Sequence, residues 1–337
     1  MKITISDVAK MAGVSKTTVS RITNGKFEYV TEETKARVLE IIKQLDYKPN
    51  ALAQSLKQMK TNVVGILLSD LQNPFWAAVL EGVEDTCRSH GYNLMICNSN
   101  EDSQIEADHI GVLRSKQVDG IIVNPTMKNK SLYESLVNKN YPIVAINRKV
   151  EGVPIETVAV DNVKGSMLAI EHLLSLGKRK IAIIIYQPDS ISPRLERIEG
   201  YKKALIKNDI KVNDDFIHIV EDKKGSTKER VKEILLGPNR PDAIFSTNNM
   251  MTLEILAEIK ALDLKVPDDI ALVGYDETVW SQHLTPPLTT VKQPTYQMGE
   301  IAAKNLIDLI DAKGSSQPKT TLLEPSLIVR RSCGSKI

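Results

Sequence analysis

The chain has 337 residues, 42% of them hydrophobic and 4% aromatic, with three cysteines and a formal net charge of +2. At roughly 100–200 residues per domain, this length calls for two or three domains with buried cores. Cys87, Cys97 and Cys333 form neither a CxxC pair nor metal-ligand spacing, so neither a zinc site nor a disulfide framework is implied. The first residues lack the apolar core of a secretory signal, and no apolar run of about 20 residues is present to span a bilayer. A cytoplasmic protein without membrane association is expected. The small net charge conceals an asymmetry: residues 1–60 hold nine lysines and two arginines against six acidic residues, whereas the remainder is mildly acidic. A basic amino-terminal module on an acidic body suits a nucleic-acid partner.

Ile5, Val8, Ala9 and Ala12 fall at i, i+3, i+4 and i+7, which predicts a first helix with one buried face. Thr4 occupies its N-cap position, and Asp7 three residues later completes a capping-box pattern. Gly13 supplies a tight turn and Ser15 caps a second helix. There Thr17, Ser20, Arg21 and Asn24 repeat the same spacing, but the stripe is polar, while Val14, Val19 and Ile22 face the first helix. Hydroxyls, an amide and an arginine on a short rigid mount match the donors and acceptors of base edges in the DNA major groove. A third helix is predicted from Thr31 to Leu45. Thr31 caps it, Glu32 and Glu33 complement its dipole, and Val38, Leu39, Ile41, Ile42 and Leu45 form its buried face. Beyond Pro49, Asn50–Lys57 has helical residues but only about two turns, marginal for a helix alone in water. It reads as a helix formed on a partner or on DNA, or as a plain linker.

From Asn62 the texture changes to short apolar runs separated by helical segments. Strands are predicted at Val63–Leu68, Leu94–Cys97, Gly120–Val123, Ile143–Ile146 and Val158–Val160, and the pattern restarts with Lys180–Ile185, Phe216–Val220, Ala243–Ser246 and Ile270–Gly274. Continuous apolar strands mark parallel sheets covered on both faces, and two successive series imply two lobes. Ligands in such folds bind at the carboxyl ends of the strands, often between domains. A helix from Met298 to Ile310 and a strand at Leu327–Val329 complete the chain. No GxSxG, P-loop, HExxH or GxGxxG motif stands at a strand-to-helix turn, and the five histidines form no cluster. Neither an enzyme nor a metal or cofactor site is expected.

Six motifs in order now carry a resemblance. The first is Asp7-Val-Ala…Ala12-Gly-Val-Ser…Thr18-Val-Ser-Arg21 followed by Asn24-Gly25; the second is Tyr47-Lys-Pro-Asn-Ala-Leu-Ala-Gln-Ser-Leu56. Then come Gly65-Ile…Asn73-Pro-Phe75, Gln117-Val-Asp-Gly-Ile-Ile122, Val273-Gly-Tyr-Asp276 and Gln293-Pro…Met298-Gly299. Over essentially its whole length the chain resembles the LacI/GalR family of bacterial transcription regulators. The resemblance implies a small all-α helix-turn-helix head (1–47), a hinge helix (48–60) and an α/β core. The core would be two doubly wound parallel-sheet lobes of periplasmic-binding-protein type, lobe 1 at 61–161 and 292–322, lobe 2 at 162–291 and 323–332. It further implies a homodimer on double-stranded, near-palindromic operator DNA, a dimer rather than a tetramer because no heptad tail follows Arg330. The expected function is repression of a carbohydrate-catabolism operon, relieved by a small sugar or sugar acid.

Carried over residue by residue, the resemblance makes Lys16 and Thr17 the base-reading positions, Arg21 a major-groove contact and Asn24 a backbone contact. Thr4, Ser15, Thr18 and Ser20 are expected to donate to phosphates or base edges, with pure capping the alternative for Ser15. Tyr47, Asn50 and Lys57 join the DNA-binding set. Leu56 matches a hinge leucine that wedges into the minor groove, where unstacking a base step is offset by contacts that the bend allows. For the effector, Arg197 and Asp276 match a polar pair facing across the cleft, Asn248 a further polar position, and Phe75 and Trp76 an apolar wall, with Trp280 closing the other side. Two features depart from common sugar-responsive members: Asn249 stands where many carry Asp, and Arg148 and Arg194 add cations suited to a carboxylate. A global catabolite-type regulator controlled by a phosphorylated partner protein is the alternative function. A transport-type sugar-binding protein fits the core but not the basic head.

Overall fold

The computed structural model describes residues 3–47, 60–223, 225–312 and 317–336. The chain divides into two compact units, residues 1–61 and 62–337. The first holds α1 (Ile5–Ala12), α2 (Lys16–Thr23) and α3 (Glu32–Gln44). The Asp7 carboxylate accepts from the Thr4 N–H at 2.8 Å and the Thr4 hydroxyl at 2.6 Å. Gly13 ends α1 in the left-handed region at φ 64°, a conformation glycine adopts without a Cβ penalty. Ser15 Oγ accepts the Thr18 N–H at 3.0 Å, and Thr31 Oγ1 accepts that of Thr34 at 3.3 Å. Val8, Ala9, Ala12, Val19, Ile22, Val38, Ile41 and Tyr47 form the core of this unit. Leu39, expected on the buried face, is 45% exposed. Val38, Ile41, Ile42 and Leu45 share one stripe, and Leu39 stands about 100° around the helix from Val38.

The second unit contains two six-stranded sheets. The first comprises β1 (Val63–Leu68), β2 (Asn93–Asn98), β3 (Gly120–Val123), β4 (Ile143–Ile146), β5 (Glu156–Val160) and β11 (Thr320–Leu323), in the order β11-β5-β4-β3-β1-β2. Every pairing in it is parallel. The second comprises β6 (Ile181–Tyr186), β7 (Ile217–Val220), β8 (Ala243–Ser246), β9 (Ala271–Tyr275), β10 (Thr289–Lys292) and β12 (Ser326–Ile328), in the order β12-β10-β9-β8-β6-β7. It is parallel except at its edge, where β12 runs antiparallel to β10. Among the described residues, eight α-helices accompany the sheets: α4 (Phe75–Ser89), α5 (Ser103–Ser115), α6 (Lys130–Asn138), α7 (Asn162–Ser175), α8 (Ser192–Lys207), α9 (Ser226–Leu236), α10 (Asn249–Ala261) and α11 (Thr295–Asp311).

Both faces of each sheet are covered, which explains the unbroken apolar strands. In β1, Val64, Ile66 and Leu68 enter one core cluster with α4 and α11, and Leu67 enters another with α5 and α6. The second sheet is sandwiched in the same way, with α7 and α8 on one face and α9 and α10 on the other. The chain passes between the sheets three times, after β5, after β10 and after β11. Lys292 still belongs to the second sheet and Leu323 to the first, one residue beyond the expected lobe limits. Among the described residues, no helix is long and apolar enough to cross a membrane.

Candidate functional site: a polar helix face and an interlobe cleft

On α2, burial of Val19 and Ile22 against the other helices turns the opposite stripe outward. Lys16, Thr17, Arg21 and Asn24 are exposed, and Thr18 and Ser20 are half-buried. No acidic residue occupies the first turn, so peptide dipoles and Lys16 leave that end positive. Ser15 is engaged locally: besides capping α2, its hydroxyl lies 2.9 Å from that of Thr18. The Thr4 hydroxyl is likewise engaged, by Asp7, and these bonds hold the Asp7 carboxyl below its ordinary range. Asn24 ends α2, its amide reaching Ser20 Oγ at 3.4 Å. Tyr47, expected among the DNA contacts, is instead part of the core of this unit, 9% exposed. Asn50, Leu56 and Lys57, with hinge residues 48–59, lie outside the described residues.

In the second unit a cavity of about 730 Å³ opens between the two sheets. Its walls come from the carboxyl ends of strands: Ser69 follows β1, Glu101 lies beyond β2, Asn147 follows β4, Thr247 follows β8, Asp276 follows β9 and Gln293 follows β10. Strand ends on both sides of a cleft are where open α/β sheets bind ligands.

Arg197, on α8, donates from Nε to Asn162 Oδ1 at 3.0 Å and from Nη1 to the Thr247 carbonyl at 2.6 Å, with its guanidinium 3.7 Å over the Tyr275 ring. Asp276 has φ 75°, and its Oδ1 accepts from Gln293 Nε2 at 2.5 Å. Burial pushes the Asp276 carboxyl up, against the opposing pull of Arg197 and the Gln293 bond. Contrary to expectation, the two do not face each other across the cleft. Both belong to the second sheet's side, because α8 packs on the strand that ends at Tyr275. A hydrogen-bonded chain leads from Arg197 to the other lobe: Asn162 Nδ2 reaches Glu196 Oε2 at 3.0 Å, and Glu196 Oε1 takes Lys149 Nζ at 2.5 Å.

Asn248 lines the cavity as the N-cap of α10, accepting from Met250 and Met251 N–H at 2.9 and 3.2 Å. Asn249 bridges the lobes, its amide donating to Asn73 Oδ1 at 2.8 Å. Phe75 and Trp76 line the cavity and are also core residues, packed edge to face with centroids 4.8 Å apart. Trp280 is not among the lining residues; it precedes a 3-10 turn at Ser281–His283 and packs on the core between the second sheet and α10. Arg148 and Arg194 do line the cleft, but each already holds a carboxylate, Glu101 and Asp222 respectively. Glu101, Asn147, Tyr186 and Asp222 were not singled out in the sequence, and Gln293 stood in a motif there without a site role; a polar residue just past a predicted strand was the available signal for Asn147.

Residues 4–50 match the family model for bacterial regulatory proteins of the lacI family, and residues 170–333 match a periplasmic binding protein-like domain. The chain is 36% identical over 318 residues to the probable HTH-type transcriptional regulator EndR of Paenibacillus polymyxa, covering 93% of this chain and 92% of that one. It is 33% identical to the HTH-type transcriptional regulator KdgR of Bacillus subtilis, over 98% and 97% of the two chains. Among solved structures, the lac repressor dimer bound to operator and the anti-inducer ONPF superposes with a TM-score of 0.87 at 26% identity, over 99% of each chain. The complex of the transcriptional regulator CelR with cellobiose gives 0.74 at 29% identity, over 98% of this chain and 99% of that one.

Proposed function

From the premise that the chain belongs to the lacI family of bacterial regulatory proteins and is a DNA-binding transcriptional regulator, we propose that it represses a carbohydrate-catabolism operon as a homodimer on a palindromic operator, and that a small sugar or sugar acid in the cleft releases it. The observation that carries this reading is the exposed stripe Lys16, Thr17, Arg21 and Asn24 on a helix whose other side is buried. Lys16 and Thr17 read base edges, Arg21 reaches the major groove, and Asn24, Ser20, Thr18 and Thr4 contact the backbone. Ser15 serves as the cap that orients α2. Leu56 is assigned by resemblance to the minor groove of the operator, and Asn50 and Lys57 to the DNA-binding set.

In the cleft, Arg197 and Asp276 hold ligand hydroxyls, Asn248 adds a polar contact, and Phe75 with Trp76 offers an apolar wall to C–H surface. A ligand that touches both walls favours one spacing of the lobes, and the Asn249–Asn73, Lys149–Glu196 and Lys149–Ser192 contacts are among the interlobe bonds that such a shift remakes. The solved relatives, one on operator and one with cellobiose, support both halves of the reading.

The test is operator selection from a random duplex pool by the full chain, followed by anisotropy titrations with a carbohydrate panel. Wild type is expected to select a palindrome and to lose it on adding at least one carbohydrate; Asp276→Ala should keep operator affinity and lose the response. Release that requires a phosphorylated protein and no sugar would replace this reading with the catabolite-type alternative.

A further inference from the structure

Four charges meet in the cleft, two from each lobe. Arg148 donates to Glu101 twice, Nη1 to Oε2 at 2.8 Å and Nη2 to Oε1 at 2.5 Å, and to the Pro125 carbonyl at 2.9 Å. Arg194 donates to Asp222 at 2.7 Å and to the Gln187 carbonyl at 2.7 Å, and lies 5.5 Å over the Tyr186 ring. Both guanidiniums are largely out of water, with side-chain exposures of 6% and 15%. Each guanidinium thus holds a carboxylate of its own lobe, and all four side chains line the cavity. Burial works against ionisation of Glu101, but Arg148, with Ser69 and Arg194, holds its carboxyl below the ordinary range.

The backbone that delivers Glu101 is itself strained. Asn100 and Glu101 in succession take φ 49° and 60°, a region that costs non-glycine residues free energy unless their surroundings impose it. The Glu101 N–H is anchored on the Ser69 carbonyl at 3.0 Å. A carboxylate delivered this way takes the guanidinium edge where a ligand carboxylate would otherwise bind Arg148.

We propose that Glu101 sets the charge of the effector: its carboxylate occupies the anion position on Arg148, while Asp222 answers Arg194, so that the cleft accepts an uncharged polyhydroxyl ligand and rejects the carboxylate analogue. This rests on the reading that the cleft is the effector site. A sugar acid must either displace Glu101 or bring a further buried carboxylate beside it, and an uncompensated buried charge is strongly disfavoured. What the cleft offers besides these paired charges suits hydroxyls: Ser69, Asn73, Thr247 and Asn248 line it with uncharged polar groups.

Thermal-shift titrations of the full chain with matched pairs decide the matter, since a ligand of the native state raises its stability. The pairs are glucose and glucuronate, galactose and galacturonate, cellobiose and cellobionate. Wild type is expected to respond to at least one neutral sugar and to none of the acids. In Glu101→Gln, affinity for the acid partner of that sugar should rise at least tenfold relative to the neutral one, and the gain should vanish when Arg148→Met is added. A wild-type preference for an acid, or an unchanged ratio in Glu101→Gln, overturns the inference while leaving the cleft as effector site. No response to any of the six overturns both. Should Glu101→Gln fail to fold, Glu101→Asp, which withdraws the carboxylate from Arg148 by one methylene, carries the same comparison, with a gain of the same sign expected and an unchanged ratio overturning the inference.

Discussion

Arg21 carries its charge in water, and Asp276 carries its charge away from water. The exposed guanidinium is ready for a base edge or phosphate, so Arg21→Ala is expected to weaken operator binding by roughly 1–3 kcal/mol. An unchanged Kd in an anisotropy titration would remove Arg21 from the contact set. Asp276 pays for its position with a carboxyl pushed up by burial, so its folded pKa lies above its unfolded one. The folded state therefore binds the proton more readily; the associated stability is present at low pH and is lost as pH rises through the folded pKa. Asp276→Asn keeps an acceptor for Gln293 and discards the buried charge. Its unfolding midpoint should exceed that of wild type at neutral pH, with the gap closing as pH falls below the ordinary carboxylate range. A gap independent of pH would contradict the assignment. The partners of the cleft residues do not follow from the residues themselves: Asp276 meets Gln293 from 17 positions away, and Arg197 meets Asn162 and Thr247 from 35 and 50.

Among the elements, α4 and α11 are tied by backbone contact. A Cβ added at Gly82 would stand 2.1 Å from the Tyr296 carbonyl oxygen, and one at Gly299 would stand 2.1 Å from that of Val79. The two helices approach so closely that only hydrogen fits at either position. Gly82→Ala or Gly299→Ala should destabilise the second unit by roughly 1–3 kcal/mol or more, since neither backbone can yield as a side chain does. Urea unfolding measures this, and a loss below about half a kcal/mol would contradict the close approach. Strand limits were legible where both faces are apolar: β1, β3, β4 and β8 run from Val63, Gly120, Ile143 and Ala243 as the runs predict. β10 and β11 were missed because each begins with a Thr-Thr pair, whose hydroxyls read as polar although β-branching favours strands. Leu39 was misassigned for the converse reason, an apolar residue one step off the buried stripe of α3.

At the scale of the molecule, a basic head on an acidic core ties operator affinity to salt and to assembly. A palindromic operator needs two heads, so sedimentation of the full chain at operator-binding concentrations should give a dimer. A monomer that binds the whole operator with full affinity, or a stable tetramer, would overturn that expectation. Operator affinity should also fall steeply as salt rises from 50 to 200 mM, because each phosphate contact releases condensed counterions.

What the sequence by itself determined are the features whose partners lie within a turn or two of the chain. The Thr4–Asp7 cap, the Ser15 cap, the buried and polar faces of α1 and α2 and the succession of apolar strands depend on spacings of i+2 to i+7, which the local order of residues alone can satisfy. Only the tertiary structure decided the cleft. Its lining is gathered from strand ends scattered between Ser69 and Gln293, and its charges are cancelled by residues such as Glu101, 47 positions from Arg148. Two arginines in a sequence read as an invitation to a carboxylate. Folded, they are already answered, because burying a guanidinium obliges the fold to bring its own counter-charge.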